Sequence, residues 1–259
     1  MTPPEQIADL YERHRRESSH GRARVDAPAP LCLQWDHSAG GQGEVMFDRY
    51  IPLGLDCEVI VQLRRLTGNK QAHVFDWQWV DHQAFIRILR TDFADYFQLP
   101  NLVLSEDRRH LLDTATNVEF HHLFPVAIDG TIVPQRIARE YPKVRERTEY
   151  LLRRWRETTS SQLTALYVRR DPYDDITDKK VVEMRDVLRE CYPSHRFAVL
   201  LVRDAAAPGA EDLGDDIAEL ADGAYVAGMP VRLPRTEYWQ GDDATWDRLF
   251  PKMHELRPV

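Results

Sequence analysis

The chain has few cysteines and no excess of positive charge. Its three cysteines, Cys32, Cys57 and Cys191, are scattered along 259 residues, which does not suit a disulfide framework or a cysteine-rich zinc cluster. A reducing cytoplasm is therefore the expected location. The formal net charge is −8 and the sequence pI is near 5.7, whereas a general nucleic-acid-binding protein needs a basic surface. Nucleic acid is therefore not an expected partner.

Long apolar runs are also missing. The longest one, residues 197–202, has the length of a buried strand and is far too short to span a bilayer. The N-terminus has no basic start followed by an apolar stretch, so neither a signal peptide nor a membrane span is expected.

The first part of the chain differs from the rest. Residues 4–19 form a charged helical pattern with a thin apolar face, and a stretch rich in glycine and proline follows. We therefore expect residues 1–44 to be a helical appendage with a linker, and residues 45–259 to form the main domain.

Strand and helix patterns alternate along the main domain. Apolar strands at residues 163–168 and 197–202 are interleaved with helices at 134–157, 178–190 and 243–250. This alternation predicts an α/β fold, with a mixed, largely parallel sheet flanked by helices.

Cys57 is the strongest candidate for a chemical role. It follows a strand near residues 47–53 and a glycine turn at Gly54, and it begins a helical pattern. Unpaired N–H groups and the positive end of the helix dipole favour a thiolate there, and an apparent thiol pKa below about 8 is expected. The flanking Asp56 and Glu58 act in the opposite direction, since nearby carboxylates raise the pKa of a thiol.

A cysteine nucleophile needs a base and a group that orients it. His121 and His122 end a strand-like run at residues 118–122, and His122 is the candidate base, with His121 as the alternative. Asp171 and Asp204 each follow an apolar strand, and Asp171 is the first choice for the orienting residue, with Asp204 the alternative. If the strands are parallel, all these groups meet at the carboxyl edge of the sheet.

Other polar clusters carry weaker signals. His121 and His122 alternate along a strand, and no matching ligands lie near them in the sequence, so neither a metal site nor a cofactor is expected. The aromatic segment Phe75-Asp76-Trp77 is either core packing with a capping aspartate, which is favoured, or a wall on which a substrate stacks.

Several segments together resemble a bacterial domain-of-unknown-function family described as putative papain-like cysteine peptidases. They are Leu53-Gly54-Leu55-Asp56-Cys57, Phe75-Asp76-Trp77, and Phe120-His121-His122-Leu123-Phe124, in this order. The resemblance implies a catalytic cysteine at Cys57 and a histidine at His122. This chain has Leu123 where the family pattern has an acidic residue, and Asp56 where a small amide residue is usual. The resemblance also makes a papain-like topology the competitor of the parallel α/β sheet.

The leading hypothesis is a cysteine-dependent acyl-transfer enzyme, either a hydrolase or an acyltransferase acting on an amide, ester or thioester. Cys57 is its nucleophile, His122 its base and Asp171 the orienting residue. A small-molecule, acyl-carrier or saccharide-linked substrate suits this chemistry. The alternatives are a non-catalytic carbohydrate- or nucleotide-binding α/β domain, and a scaffold that pairs with a partner through the N-terminal helix.

Overall fold

The computed structural model describes residues 47–171, 176–204, 216–229 and 239–259. The predicted helix and linker of residues 1–44 lie outside the described residues. The helices and strands in the described ranges are β1 (Arg49–Pro52), α1 (Cys57–Thr67), β2 (Gln78–Val80), α2 (His82–Arg90), β3 (Leu102–Leu104), β4 (Leu111–Asp113), β5 (Val118–Phe120), α3 (Pro134–Ser160), β6 (Thr164–Asp171), α4 (Asp178–Cys191), β7 (Arg196–Asp204), β8 (Ile217–Ala221), β9 (Ala224–Met229) and α5 (Asp243–Met253).

The larger sheet has five strands in the order β1-β6-β7-β9-β8. The first four are parallel to their neighbours, and β8 returns antiparallel to β9 as an edge strand. The central strands β6 and β7 are buried along almost their whole length, as expected when helices cover both faces of a parallel sheet. This arrangement confirms the predicted α/β fold with a largely parallel sheet.

The helices lie on both faces of this sheet. Val59 and Leu63 of α1 share one apolar cluster with Trp246 and Leu249 of α5 and with the side chains that β6 and β7 direct to that face. Helices α2, α3 and α4 contribute to a second cluster on the opposite face, which extends into the smaller sheet.

The smaller sheet is antiparallel and lies in the sequence between α1 and α3. Its order is β2-β5-β4-β3, and its strands are each three residues long. Alternation places Leu111, Val118 and Phe120 in the core while Glu119 remains partly exposed. The strand predicted at residues 118–122 ends at Phe120, just before the two histidines.

No helix within the described ranges combines the length and the apolar character that crossing a membrane requires.

Candidate active site

The turn between β1 and α1 (residues 53–56, hereafter the Cys57 turn) is held tightly against the smaller sheet. Gly54 and Leu55 both have left-handed backbones, with φ of 75° and 72°. The Leu55 N–H donates to the carbonyl oxygen of Gln78 in β2 at 3.0 Å. A Cβ at position 54 would lie 3.2 Å from that same oxygen and 3.2 Å from Val80 Cγ2. The turn therefore needs glycine at position 54 both for its backbone angle and for the close approach of β2.

A buried arginine stabilises the same turn through hydrogen bonds to backbone carbonyl groups. Arg169 of β6 is fully buried, and its guanidinium donates to the carbonyl oxygen of Leu53 at 3.4 Å and to that of Val80. Burial lowers the pKa of Arg169 to about 10, so the side chain stays charged at neutral pH. It links the end of β1 to the end of β2 and fixes where the Cys57 turn begins.

Cys57 is the first residue of α1 and is partly exposed. The Asp56 side chain caps the helix by accepting from the Glu58 N–H at 2.8 Å. Burial, and after it the Asp56 carboxylate, raises the pKa of the Cys57 thiol to about 11. The expectation of a thiol pKa below about 8 is therefore wrong, because partial burial and, after it, the Asp56 carboxylate both disfavour the thiolate. At neutral pH Cys57 carries its proton.

Next to Cys57, a buried charged network joins α1 to the carboxyl edge of the larger sheet. Glu58 is 4% exposed; it accepts from the Trp246 indole N–H at 2.7 Å and lies 3.4 Å from Arg170 Nε. Arg170 in turn donates to Asp204. Sequence reasoning treated Glu58 only as a neighbour that opposes the thiolate. Its role as the anchor of α5 depends on Trp246, which lies far away in the sequence.

His122 follows β5 and is exposed, with its ring edge-on to Trp77 at a centroid distance of 5.7 Å. Because β5 belongs to the antiparallel sheet, His122 is not at the carboxyl edge of the parallel strands, and that expectation is wrong for this residue. The two sheets meet near the Cys57 turn through β2. Gln78 receives the Leu55 N–H and pairs with Phe120, two residues before His122.

The two candidate aspartates end neighbouring strands of the larger sheet. Asp171 is fully buried and accepts from the Ile176 N–H at 2.6 Å, just before α4 begins. Asp204 receives a hydrogen bond from Arg170. Both lie at the carboxyl edge, where Asp171 is in register with Arg203. Each therefore supports the local structure at the end of its strand.

The Phe75-Asp76-Trp77 segment belongs mainly to the core. Phe75 is fully buried, and Asp76 accepts from the His73 N–H at 2.9 Å and from Arg64 at 3.0 Å. Burial raises the pKa of Asp76 to about 7, although its hydrogen bonds and Arg64 oppose that shift. A small cavity of about 30 Å³ lies beside Asp76 and Trp77, and it has room for about one water molecule. The core interpretation of this segment fits these contacts.

His121 lies in a different environment from His122. Its Nε2 is 3.2 Å from Glu119 Oε2, and its ring is 5.0 Å from that of His110. Sequence reasoning missed this cluster because His110 precedes another strand and approaches His121 only through the pairing of β4 with β5.

Comparison with other proteins gives one family. No curated protein and no solved structure matches the chain. A family model described as "putative papain-like cysteine peptidase", a domain of unknown function, matches residues 48–205. The match covers more than half of the chain and includes the Cys57 turn, both histidines, β6 and β7. The chain therefore belongs to this family, whose description as a "putative papain-like cysteine peptidase" is that of a cysteine-dependent hydrolase.

Proposed function

We propose that this protein is a cysteine-dependent acyl-transfer enzyme in which Cys57 attacks the carbonyl carbon of an amide, ester or thioester. The observation that carries the proposal is the position of Cys57. It is partly exposed at the first position of α1, and it follows two left-handed residues in a turn that β2 and Arg169 hold in place. Glycine adopts a left-handed backbone without strain, whereas the left-handed backbone of Leu55 is strained, and such strain clusters at functional sites.

A base is required in this mechanism because the Cys57 thiol is protonated at neutral pH. His122 takes the thiol proton as the sulfur attacks, and then gives it to the leaving amine, alcohol or thiol. The backbone N–H of Cys57 is at a helix position without an intrahelical acceptor, and it stabilises the oxyanion. The product of this half-reaction is a thioester on Cys57. Water then releases the acid in a hydrolase, whereas an amine takes the acyl group in an acyltransferase.

Asp171 is the proposed orienting residue for His122, and Asp204 is the alternative. His122 contacts Trp77 outside the carboxyl edge of the larger sheet, so this role requires the His122 side chain to turn towards that edge. A positioning role predicts that Asp171→Asn shifts the pH at which the acylation rate is half-maximal, while Asp204→Asn leaves that pH unchanged. The reverse result would transfer the role to Asp204. A fall in rate at every pH without a shift in the profile would indicate only the structural role of Asp171 at the start of α4.

The proposal is tested with p-nitrophenyl acetate as a generic acyl donor. We expect a burst of p-nitrophenolate and an acetyl group on Cys57 in the mass spectrum. Cys57→Ser abolishes both signals, and Cys191→Ser serves as the matched control that keeps them. His122→Ala slows the burst about 10²–10⁴-fold, as expected for loss of a general base. Equal bursts in the wild type and in Cys57→Ser would overturn the proposal.

A non-catalytic binding domain is the second candidate, and the raised pKa of the Cys57 thiol favours it. The cavity beside Trp77 does not, since its volume of about 30 Å³ is far too small for a sugar or a nucleotide. In this case Cys57 has a packing role only, and the acetyl group does not appear on it.

A further inference from the structure

Three potential metal ligands meet on the outer side of the smaller sheet. Leu111 pairs with Phe120, and Leu112 pairs with Glu119. Continuing this register places His110 opposite His121, just beyond the ends of both strands. Glu119 precedes His121 by two residues and therefore lies on the same face, whereas Phe120 between them points into the core.

The distances within this cluster match those of a metal site. Glu119 Oε2 lies 3.2 Å from His121 Nε2 and 3.7 Å from His110 Nε2. One ligand atom from each of the three residues lies within 4.8 Å of the other two. Zinc binds nitrogen and oxygen ligands at about 2.0–2.2 Å in tetrahedral geometry, which separates neighbouring ligand atoms by about 3.3–3.6 Å. An ion between them would replace the direct contact between Glu119 Oε2 and His121 Nε2.

The surroundings of the cluster also suit a metal ion. The three side chains are between 24% and 35% exposed, so the ligand atoms are partly covered while an ion can still reach them. Glu119 supplies one carboxylate oxygen within 3.7 Å of a ring nitrogen of each histidine.

We propose that His110, Glu119 and His121 bind a divalent transition-metal ion of the zinc class. Two imidazoles and one carboxylate suit zinc and its first-row neighbours, whereas calcium and magnesium require mostly oxygen ligands. Three protein ligands leave a fourth coordination position for water or for a group of a bound molecule.

The proposed base is a neighbour of this cluster and not a member of it, since the His122 ring lies 6.3 Å from the His121 ring. The His122 ring contacts Trp77, and His122 does not contribute to the His110–Glu119–His121 cluster. The metal proposal rests on the pairing of β4 with β5, so it stands or falls independently of any reaction at Cys57.

Zinc chloride is titrated calorimetrically into the full-length protein after treatment with EDTA. We expect one site whose affinity falls more than about tenfold in each of His110→Ala, His121→Ala and Glu119→Gln, since the loss of even an outer-shell partner costs about 10- to 100-fold. His122→Ala is the matched control and keeps the wild-type affinity. Magnesium chloride gives no saturable binding at this site.

A second measurement keeps the test valid if a variant folds poorly. Zinc should raise the melting temperature of the wild type and of His122→Ala by mass action, and it should not raise that of a folded His110→Ala protein. Cobalt substitution should give the visible absorption of a four-coordinate ion in the wild type and in His122→Ala, and not in a folded His110→Ala protein. No zinc binding, or equal binding in all four variants, would overturn the proposal, since equal binding places the ion elsewhere, for example on His14, His20 or His37.

Discussion

A cysteine at the start of a helix is activated only if nothing cancels the field of the helix. The helix dipole stabilises a negative charge at an exposed N-terminus by about 0.3–1 kcal/mol. In this protein Asp56 places a carboxylate on the same terminus by accepting from the Glu58 N–H. Burial of the sulfur has the larger effect, and with the Asp56 carboxylate it raises the pKa of the Cys57 thiol. Any reaction at Cys57 at neutral pH therefore depends on a base that removes the proton.

Labelling with iodoacetamide tests this electrostatic account. The alkylation rate of Cys57 should rise with pH, with a midpoint at about pH 11. Asp56→Asn should lower that midpoint because it removes the second cause of the shift, while asparagine still caps the helix. Labelling is followed by mass spectrometry of the peptides that contain Cys57 and Cys191, with Cys191 as the internal control. A wild-type midpoint below about 8 would contradict this account.

Asp76 should make stability depend on pH. Its pKa is 3.8 without the fold and about 7 in the folded protein, so between these values the folded state binds more protons than the unfolded state. The contribution of Asp76 to stability is therefore fully present below about pH 4 and is lost as the pH rises to about 7.

Urea unfolding of the wild type and Asp76→Asn at pH 5 and pH 8 measures this contribution. From pH 5 to pH 8 the free energy of unfolding should fall by about 1–4 kcal/mol more in the wild type than in Asp76→Asn. Other titrating groups, including the buried His73, affect both proteins alike. Parallel losses in the two proteins would mean that Asp76 stays ionised in the folded state.

At the scale of the element, the Cys57 turn is specified by backbone geometry and by contact with β2. Gly54 and Gly68 both have left-handed backbones, with φ of 75° and 66°. A Cβ at Gly54 meets β2 at 3.2 Å, whereas a Cβ at Gly68 meets nothing within 4 Å. The two positions therefore separate the cost of the backbone angle from the cost of crowding.

Gly68→Ala should cost about 1–2 kcal/mol, the penalty of a left-handed backbone for alanine. Gly54→Ala should lower the free energy of unfolding by about 1–3 kcal/mol more than Gly68→Ala does, because β2 must also shift. Urea denaturation measures both free energies of unfolding. Equal losses in the two variants would show that the contact with β2 adds no constraint on the turn.

At the scale of the whole molecule, the last helix is held on the parallel sheet by one large side chain. Trp246 is fully buried in the cluster that also contains Val59 and Leu63 of α1. Its indole N–H donates to the buried Glu58. Packing and a hydrogen bond to a buried charge thus join the C-terminal end of the described chain to the helix that begins with Cys57.

Substitution of Trp246 should separate these two contributions. Trp246→Phe keeps most of the apolar volume but removes the indole N–H that donates to Glu58. This loss should lower the free energy of unfolding by about 1–3 kcal/mol. Trp246→Ala adds a cavity, and its cost should rise to about 3–5 kcal/mol. Equilibrium denaturation gives both values, and Trp239→Ala is the control because Trp239 is 46% exposed. A Trp246→Ala protein as stable as the control would rule out this anchoring role.

The sequence by itself determined the elements whose signals are local. The apolar runs of β6 and β7, the periodic helices α3 and α4, and the glycine turn before Cys57 follow from residue order and spacing, because burial on both faces and helical periodicity leave direct traces in the sequence. These signals were sufficient to predict the parallel α/β sheet and to place Cys57 at a helix start.

Only the tertiary structure decided the features that depend on distant partners. The pairing of β5 with β2 and the hydrogen bond from Trp246 to Glu58 join residues far apart in the chain. The contact between His110 and His121 depends on the register in which β4 and β5 pair. Strand register and burial set these contacts, and neither is encoded in a short segment. The protonation state of Cys57 also depends on the tertiary structure, because a thiol pKa reflects the charged groups around the sulfur and how far folding buries it.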